Sequence, residues 1–139
     1  MAIDEKGGIG KAGDLAWHLP SDMAFFKKKS SGNGNNAVIM GRKTWNSIPE
    51  RYRPLPGRRN IVLTQQAEIQ FPTSVLQASS LNEALGFCSD VEEIFVIGGG
   101  KVYADALQHP ACQTVYLTAV RKDFACDTFF LPKEEDWIL

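Results

Sequence analysis

Three consecutive glycines, Gly98-Gly99-Gly100, separate the apolar stretch Ile94-Phe95-Val96-Ile97 from a segment of helical composition, Lys101 to Leu107. Glycine lets backbone N–H groups approach a phosphate closely, and a helix start adds the positive end of a dipole. The run is not the G-x-G-x-x-G fingerprint of dinucleotide sites, and a tight strand-to-helix turn accounts for it equally well. Gly41-Arg42-Lys43-Thr44 repeats this arrangement after Ala37-Val38-Ile39-Met40, with two cations added. Cations at a helix N-terminus oppose its dipole and cost roughly a few tenths of a kcal/mol, which a bound anion offsets. A solvated basic turn is the competing reading. Two anion-friendly strand ends in one domain favour a dinucleotide over an isolated phosphate.

Asp22 is the candidate for proton chemistry. Its neighbours Leu15, Ala16, Trp17, Leu19, Met23, Phe25 and Phe26 are apolar. Burial among them would raise its pKa and let it hold or relay a proton near neutral pH. A first-turn aspartate also serves simply to complement the helix dipole, and composition does not choose between the two. Arg58, after Pro54-Leu55-Pro56-Gly57, can clamp a carboxylate through two parallel hydrogen bonds or simply face water. Trp17, Trp45 and Phe26 read as core or cleft-wall residues.

Several classes are excluded by the bulk properties. The formal net charge of −1 argues against a nucleic-acid surface, while leaving room for a local basic site for a small polyanion. The three cysteines, Cys88, Cys112 and Cys126, form no Cys-x-x-Cys pair, and His18 and His109 lack metal-ligand spacing. Neither a disulfide framework nor a metal site is expected, and reduced thiols in the cytoplasm are the default. No apolar run is long enough for a bilayer, and no signal-peptide pattern opens the chain. An apolar share of 44% over 139 residues fits one water-soluble domain with its own core.

The elements that must position these residues follow from the apolar pattern. Asp22 to Lys29 reads as a short helix with Ser21 as N-cap, and Gly7 to Gly10 with Gly13-Asp14 as a flexible loop. Ala37 to Met40, Asn60 to Thr64, Ile94 to Ile97 and Thr114 to Thr118 read as strands. Arg42 to Ile48 reads as one or two helical turns, and Lys101 to Leu107 as a helix. Arg51 to Arg59, rich in proline, is expected to be irregular. Ser80-Leu81-Asn82-Glu83 is a capping box opening a helix through about Cys88. Strands alternating with helices imply an α/β domain with a mostly parallel central sheet flanked by helices, and ligands at the carboxyl ends of the strands.

Taken in order, six stretches resemble the dihydrofolate reductase family over essentially the whole chain. They are Gly8-Ile9-Gly10, Asp14 to Asp22, Val38 to Pro49, Pro54 to Asn60, Val96 to Tyr103, and Asp127-Thr128-Phe129-Phe130. The Ile48 to Pro54 loop is closer to eukaryotic members. The resemblance implies NADPH-dependent reduction of 7,8-dihydrofolate to tetrahydrofolate. It casts Asp22 as the ionisable group that bonds the pterin and promotes protonation of its imine nitrogen, with Trp17 ordering the intervening water. Leu15, Phe26, Ile48, Leu55, Ile97 and Tyr103 match substrate-pocket positions, Thr118 the residue bonding the aspartate, and Arg58 the clamp on the glutamate tail. Gly41, Arg42, Lys43, Thr44, Leu63, Thr64, Gly98, Gly99, Gly100, Lys101 and Val102 match the cofactor site, with Arg42 and Lys43 favouring NADPH over NADH. Ala2 and Ile9 match positions near the nicotinamide. The family also implies a cis peptide between Gly98 and Gly99.

Two departures stand out. Ala16 replaces the family's usual proline before the tryptophan. Family members also begin with more apolar residues before Met1-Ala2-Ile3, and continue past the Trp137 region with a long antiparallel pair. The expectation is therefore an incomplete single domain over residues 1–139, lacking part of the first strand and the C-terminal antiparallel strands. Unpaired backbone groups would then draw on a stability margin of only about 5–15 kcal/mol. The alternatives to an active reductase are a non-catalytic or unfolded remnant, or a related pyrimidine reductase of riboflavin synthesis. A monomer is expected unless the chain is fused or complemented by the missing segments, with no nucleic-acid or membrane partner.

Overall fold

The computed structural model describes residues 2–3, 8–10, 20–66, 71–114, 118–119 and 128–129. Strand β3, Asn36–Gly41, carries Ala37, Val38, Ile39 and Met40, and none of the four is reached by solvent. A strand apolar at every position needs cover on both faces, and β3 has it because it lies inside a parallel sheet. It pairs in parallel register with β4, Arg58–Leu63, on one side and with β6, Ile94–Val96, on the other. Strand β5, Leu76–Ala78, adds to β4, so the sheet runs β5-β4-β3-β6 with all strands parallel. Two short pairs accompany it: β1, Ala2–Ile3, lies parallel to β7, Thr118–Ala119, and β2, Gly8–Gly10, antiparallel to β8, Thr128–Phe129.

The two-residue period of β3 divides the core. Ala37 and Ile39 join Ile61, Ala78, Ala84 and Cys88 on one face, where α3, Leu81–Gly86, packs. Val38 and Met40 join Trp45, Val62 and Val75 on the other, against α2, Arg42–Ser47. Helices α1, Pro20–Ser31, and α4, Gly100–Leu107, complete the cover. Helix α1 begins two residues before the expected Asp22 start, with Pro20 at the first position, where its fixed φ suits a helix and its missing N–H costs nothing. It stops at Gly32, whose φ of +47° is left-handed and whose N–H donates to the Lys28 carbonyl.

Two expectations are corrected, and one strand was not foreseen. Gly8–Gly10 is a strand, because its backbone finds a partner in β8 rather than lying free in a loop. Arg58 and Arg59 open β4 and are not part of the irregular loop, since their backbone pairs with Asn36 and Ala37. Strand β5, unforeseen, has only three residues, and an alternation that short does not mark a strand.

Asn60 holds the loop before β4 in shape. It is 2% exposed; its Oδ1 accepts the Leu55 N–H at 2.9 Å, and its Nδ2 donates to the Leu55 and Arg58 carbonyls, each at 2.9 Å. Asn60→Ala leaves those part-buried backbone groups unpaired, so unfolding in urea should show a loss of about 1–3 kcal/mol. A loss under about 0.5 kcal/mol would mean the loop keeps its shape without this side chain.

Candidate active site

Because β3 and β6 are parallel neighbours, their carboxyl ends emerge side by side. The Ile97 N–H donates to the Ile39 carbonyl at 2.9 Å, and the Gly41 N–H to the Gly98 carbonyl at 2.8 Å. The two glycine turns found in the sequence are thus one surface. Gly98 is buried with φ +132°, and a Cβ there would lie 3.0 Å from Thr44 Oγ1. A Cβ on Gly41 would lie 3.2 Å from Val102 Cγ2. A Cβ is strained at Gly98 by both its φ and the Thr44 contact, whereas at Gly41 the Val102 side chain would have to give by a few tenths of an ångström; the Gly98–Gly99 peptide is cis, as the family pattern implies. Helix α4 springs directly from the turn, with the Tyr103 N–H donating to the Gly99 carbonyl at 2.9 Å. Its start at Gly100 and the exposed Lys43 and Lys101 give the surface donors and positive charge. Arg42, half-buried, donates from Nη1 to the Gln66 side-chain oxygen. A pyrophosphate fits this donor set.

Beside that surface, at the ends of β4 and β5, lies a shallow cleft of about 250 Å³ lined by Thr64, Gln65, Gln77, Ala78, Ser79 and Glu83. The Thr64 N–H donates to the Ala78 carbonyl at 2.9 Å, and Gln77 Nε2 to the Gln66 carbonyl at 2.8 Å. The expected capping box forms with a shift. Ser80 Oγ accepts the Glu83 N–H at 3.1 Å, but the Glu83 carboxylate reaches back to the Ser79 N–H at 3.1 Å and the Ser79 hydroxyl at 2.6 Å. Those two donors hold the Glu83 carboxyl below the ordinary carboxylate range. Apart from Thr64, none of these lining residues was singled out by the sequence; the signal available was Glu83, which reads there as a helix cap alone.

On the face covered by α2, Ile48, Leu55 and Ile97 pack with Trp45 around Val38 and Met40. Arg58 sits at their edge. Its Nη1 donates to Ser30 Oγ at 2.9 Å, its Nε to the Pro56 carbonyl at 3.0 Å, and its guanidinium stands 5.8 Å from the centre of the Phe26 ring. Burial pushes its pKa down from the usual arginine value, yet a group that starts so high stays charged at neutral pH. Ser30, which the sequence did not flag, is buried and donates to the Phe26 carbonyl at 2.6 Å, so α1 and Arg58 are tied together through one hydroxyl.

A sequence model of the family described as Dihydrofolate reductase matches residues 1–139. The chain belongs to the dihydrofolate reductase family. It is 44% identical to a dihydrofolate reductase of Heliothis virescens, over 88% of this chain and 72% of that protein. It is 38% identical to one of Aedes albopictus, over 94% of this chain and 76% of that one. A bifunctional dihydrofolate reductase-thymidylate synthase of Daucus carota is 45% identical over 93% of this chain. The chain spans 27% of the length of that plant relative.

Not every residue that the dihydrofolate reductase pattern singles out is described. Leu15 and Trp17 lie outside the described residues. Asp22 is placed by its backbone in the first turn of α1, Ala2 in β1, Ile9 in β2 and Thr118 in β7. Ala2 and Thr118 are register partners in the parallel β1–β7 pair. The family's cofactor positions Gly41, Thr44, Gly98, Gly99 and Val102 do converge, and Thr64 lines the neighbouring cleft. Leu63 packs away from them, into the core on the α3 face.

Proposed function

We propose that this chain reduces 7,8-dihydrofolate to 5,6,7,8-tetrahydrofolate with NADPH, in the cytoplasm, as one domain. The observation that carries the reading is the joining of the Gly41 and Gly98 turns into one surface, on a domain whose apolar α2 face holds Ile48, Leu55 and Ile97. NADPH, when bound, supplies the hydride. Gly41, Arg42, Lys43, Thr44, Gly98, Gly99, Gly100, Lys101 and Val102 hold its phosphates, and Thr64 borders the adenosine side, with Leu63 beneath it in the core. Ala2 and Ile9 line the nicotinamide side.

Phe26, Ile48, Leu55, Ile97, Leu15 and Tyr103 exclude water from the pterin, which strengthens every polar contact made inside. Asp22, with Thr118 bonded to it and Trp17 ordering a water, moves a proton to the imine nitrogen. A protonated imine accepts hydride more readily, so the aspartate and the positioning surfaces act on one step.

Dihydrofolate-dependent loss of NADPH absorbance tests the reaction. Absence of turnover by a chain whose thermal midpoint still rises with NADPH would leave a nucleotide-binding protein and remove the reductase reading. Arg58→Leu tests the clamp: KM for dihydrofolate should rise about 10- to 100-fold with little change in kcat, as expected for a lost charge-assisted pair. A reduced pterin without the glutamate tail should be indifferent to the change. Equal losses for both substrates would show that Arg58 acts on the fold and not on the tail.

A further inference from the structure

Strand β4 sends Ile61 to the α3 face of the sheet and Val62 to the α2 face. By the two-residue period of a strand, Asn60 shares the face of Val62, where Ile48, Leu55 and Ile97 pack. The cluster there is built of apolar side chains, and burial alone would favour another. A buried amide is tolerated in such a place only when its polar atoms find partners. The three hydrogen bonds of Asn60 run into one short segment: two to the backbone of Leu55 and one to the Arg58 carbonyl.

That segment, Leu55-Pro56-Gly57-Arg58, leads the chain from the apolar wall into β4. Proline at its second position and glycine at its third, with φ +71°, have the pattern of a type II turn. Its first residue belongs to the wall, and its last carries the guanidinium. Two further bonds aim that guanidinium, from Nε to the Pro56 carbonyl at 3.0 Å and from Nη1 to Ser30 Oγ at 2.9 Å. The Pro56 carbonyl lies within the same turn, so the direction of Nε follows the shape that Asn60 gives it. The backbone of Asn60 is held in turn by β3, where its register partner is the fully buried Val38.

We propose that Asn60 is a positioning residue for the substrate's glutamate tail: without touching substrate, it sets the separation and angle between the Leu55 wall and the Arg58 clamp. The proposal rests on the reductase reading above. Two parallel hydrogen bonds share one plane, so a bidentate clamp tolerates little displacement; a shift of about 1 Å can cost as much as 100-fold. The tail is held alike before and during the hydride step, so its loss falls on KM and not on kcat.

Steady-state kinetics of the full chain at saturating NADPH test it, with the fold of each variant checked by circular dichroism. Asn60→Ala should raise KM for dihydrofolate about 3- to 30-fold, with kcat and the NADPH Kd within about twofold of the parent. A reduced pterin without the glutamate tail should lose less than about twofold in kcat/KM. In an Arg58→Leu background the same substitution should add less than about twofold to KM, because the clamp it aims is gone. Should Asn60→Ala fail to fold, Asn60→Thr, whose hydroxyl has one donor for two carbonyls, decides by the same ratios.

A KM rise below about threefold, equal losses for the tail-free pterin, or an undiminished effect in the Arg58→Leu background overturns the proposal. In each of these cases the reductase reading stands. A folded parent that does not reduce dihydrofolate fails that reading, and the proposal with it.

Discussion

Asp22→Asn should lower the rate of dihydrofolate reduction at neutral pH by about 10²- to 10⁴-fold, the usual contribution of a positioned proton donor. Asparagine keeps the size and the hydrogen-bonding reach of the side chain but cannot relay a proton. Solvent protonates the imine increasingly as the pH falls, so the deficit should shrink toward acid. Transient kinetics of the hydride step at several pH values provide the measurement. A deficit below about tenfold, or one of constant size across pH, would assign Asp22 to helix stability or pterin binding instead. NADPH affinity serves as the control and should be unaffected, since Asp22 belongs to α1 and not to the glycine turns.

Gly98→Ala should weaken NADPH binding about 10- to 100-fold and reduce folding stability by about 1–3 kcal/mol. Two causes act together there: a φ of +132° that side-chain-bearing residues rarely adopt, and a Thr44 Oγ1 only 3.0 Å from the new Cβ. The backbone cannot shift freely to relieve them, because the Gly98 carbonyl accepts the Gly41 N–H at 2.8 Å. Adding Thr44→Ala relieves the contact but not the dihedral, so the pair should be non-additive in urea unfolding, the double variant recovering part of the stability loss. Strict additivity would show that Thr44 already has room to move, leaving the dihedral as the sole cause.

Legibility in the sequence followed the range of the forces involved. Ala37 to Met40 is apolar without alternation, and that pattern belongs to an inner strand of a parallel sheet, which β3 is. The glycine turns were legible as turns, and only the β3–β6 pairing makes them one surface. Strand β5 escaped notice because its three residues are a strand only through β4. Arg58 was hidden by its neighbours, since Pro54, Pro56 and Gly57 mark a loop so strongly that the strand start two residues after Pro56 is masked. Glu83 was legible as a cap, a local role. Its place as a charge lining the cleft depends on Thr64, just past β4, and Gln77 of β5. The family resemblance supplied roles for Asp22 and Arg58 that local chemistry alone had left open.

The single hydrogen bond from Gly41 to Gly98 also bears on when entropy is lost. Many nucleotide sites are built on loops that become ordered only as the ligand arrives, and that ordering subtracts from affinity. Here the grip belongs to the ends of two adjacent strands of the parallel sheet, and its conformational freedom was already surrendered when the sheet formed. Nucleotide association can then proceed as docking onto a finished surface, at a rate set by encounter and charge and with little contribution from rearrangement.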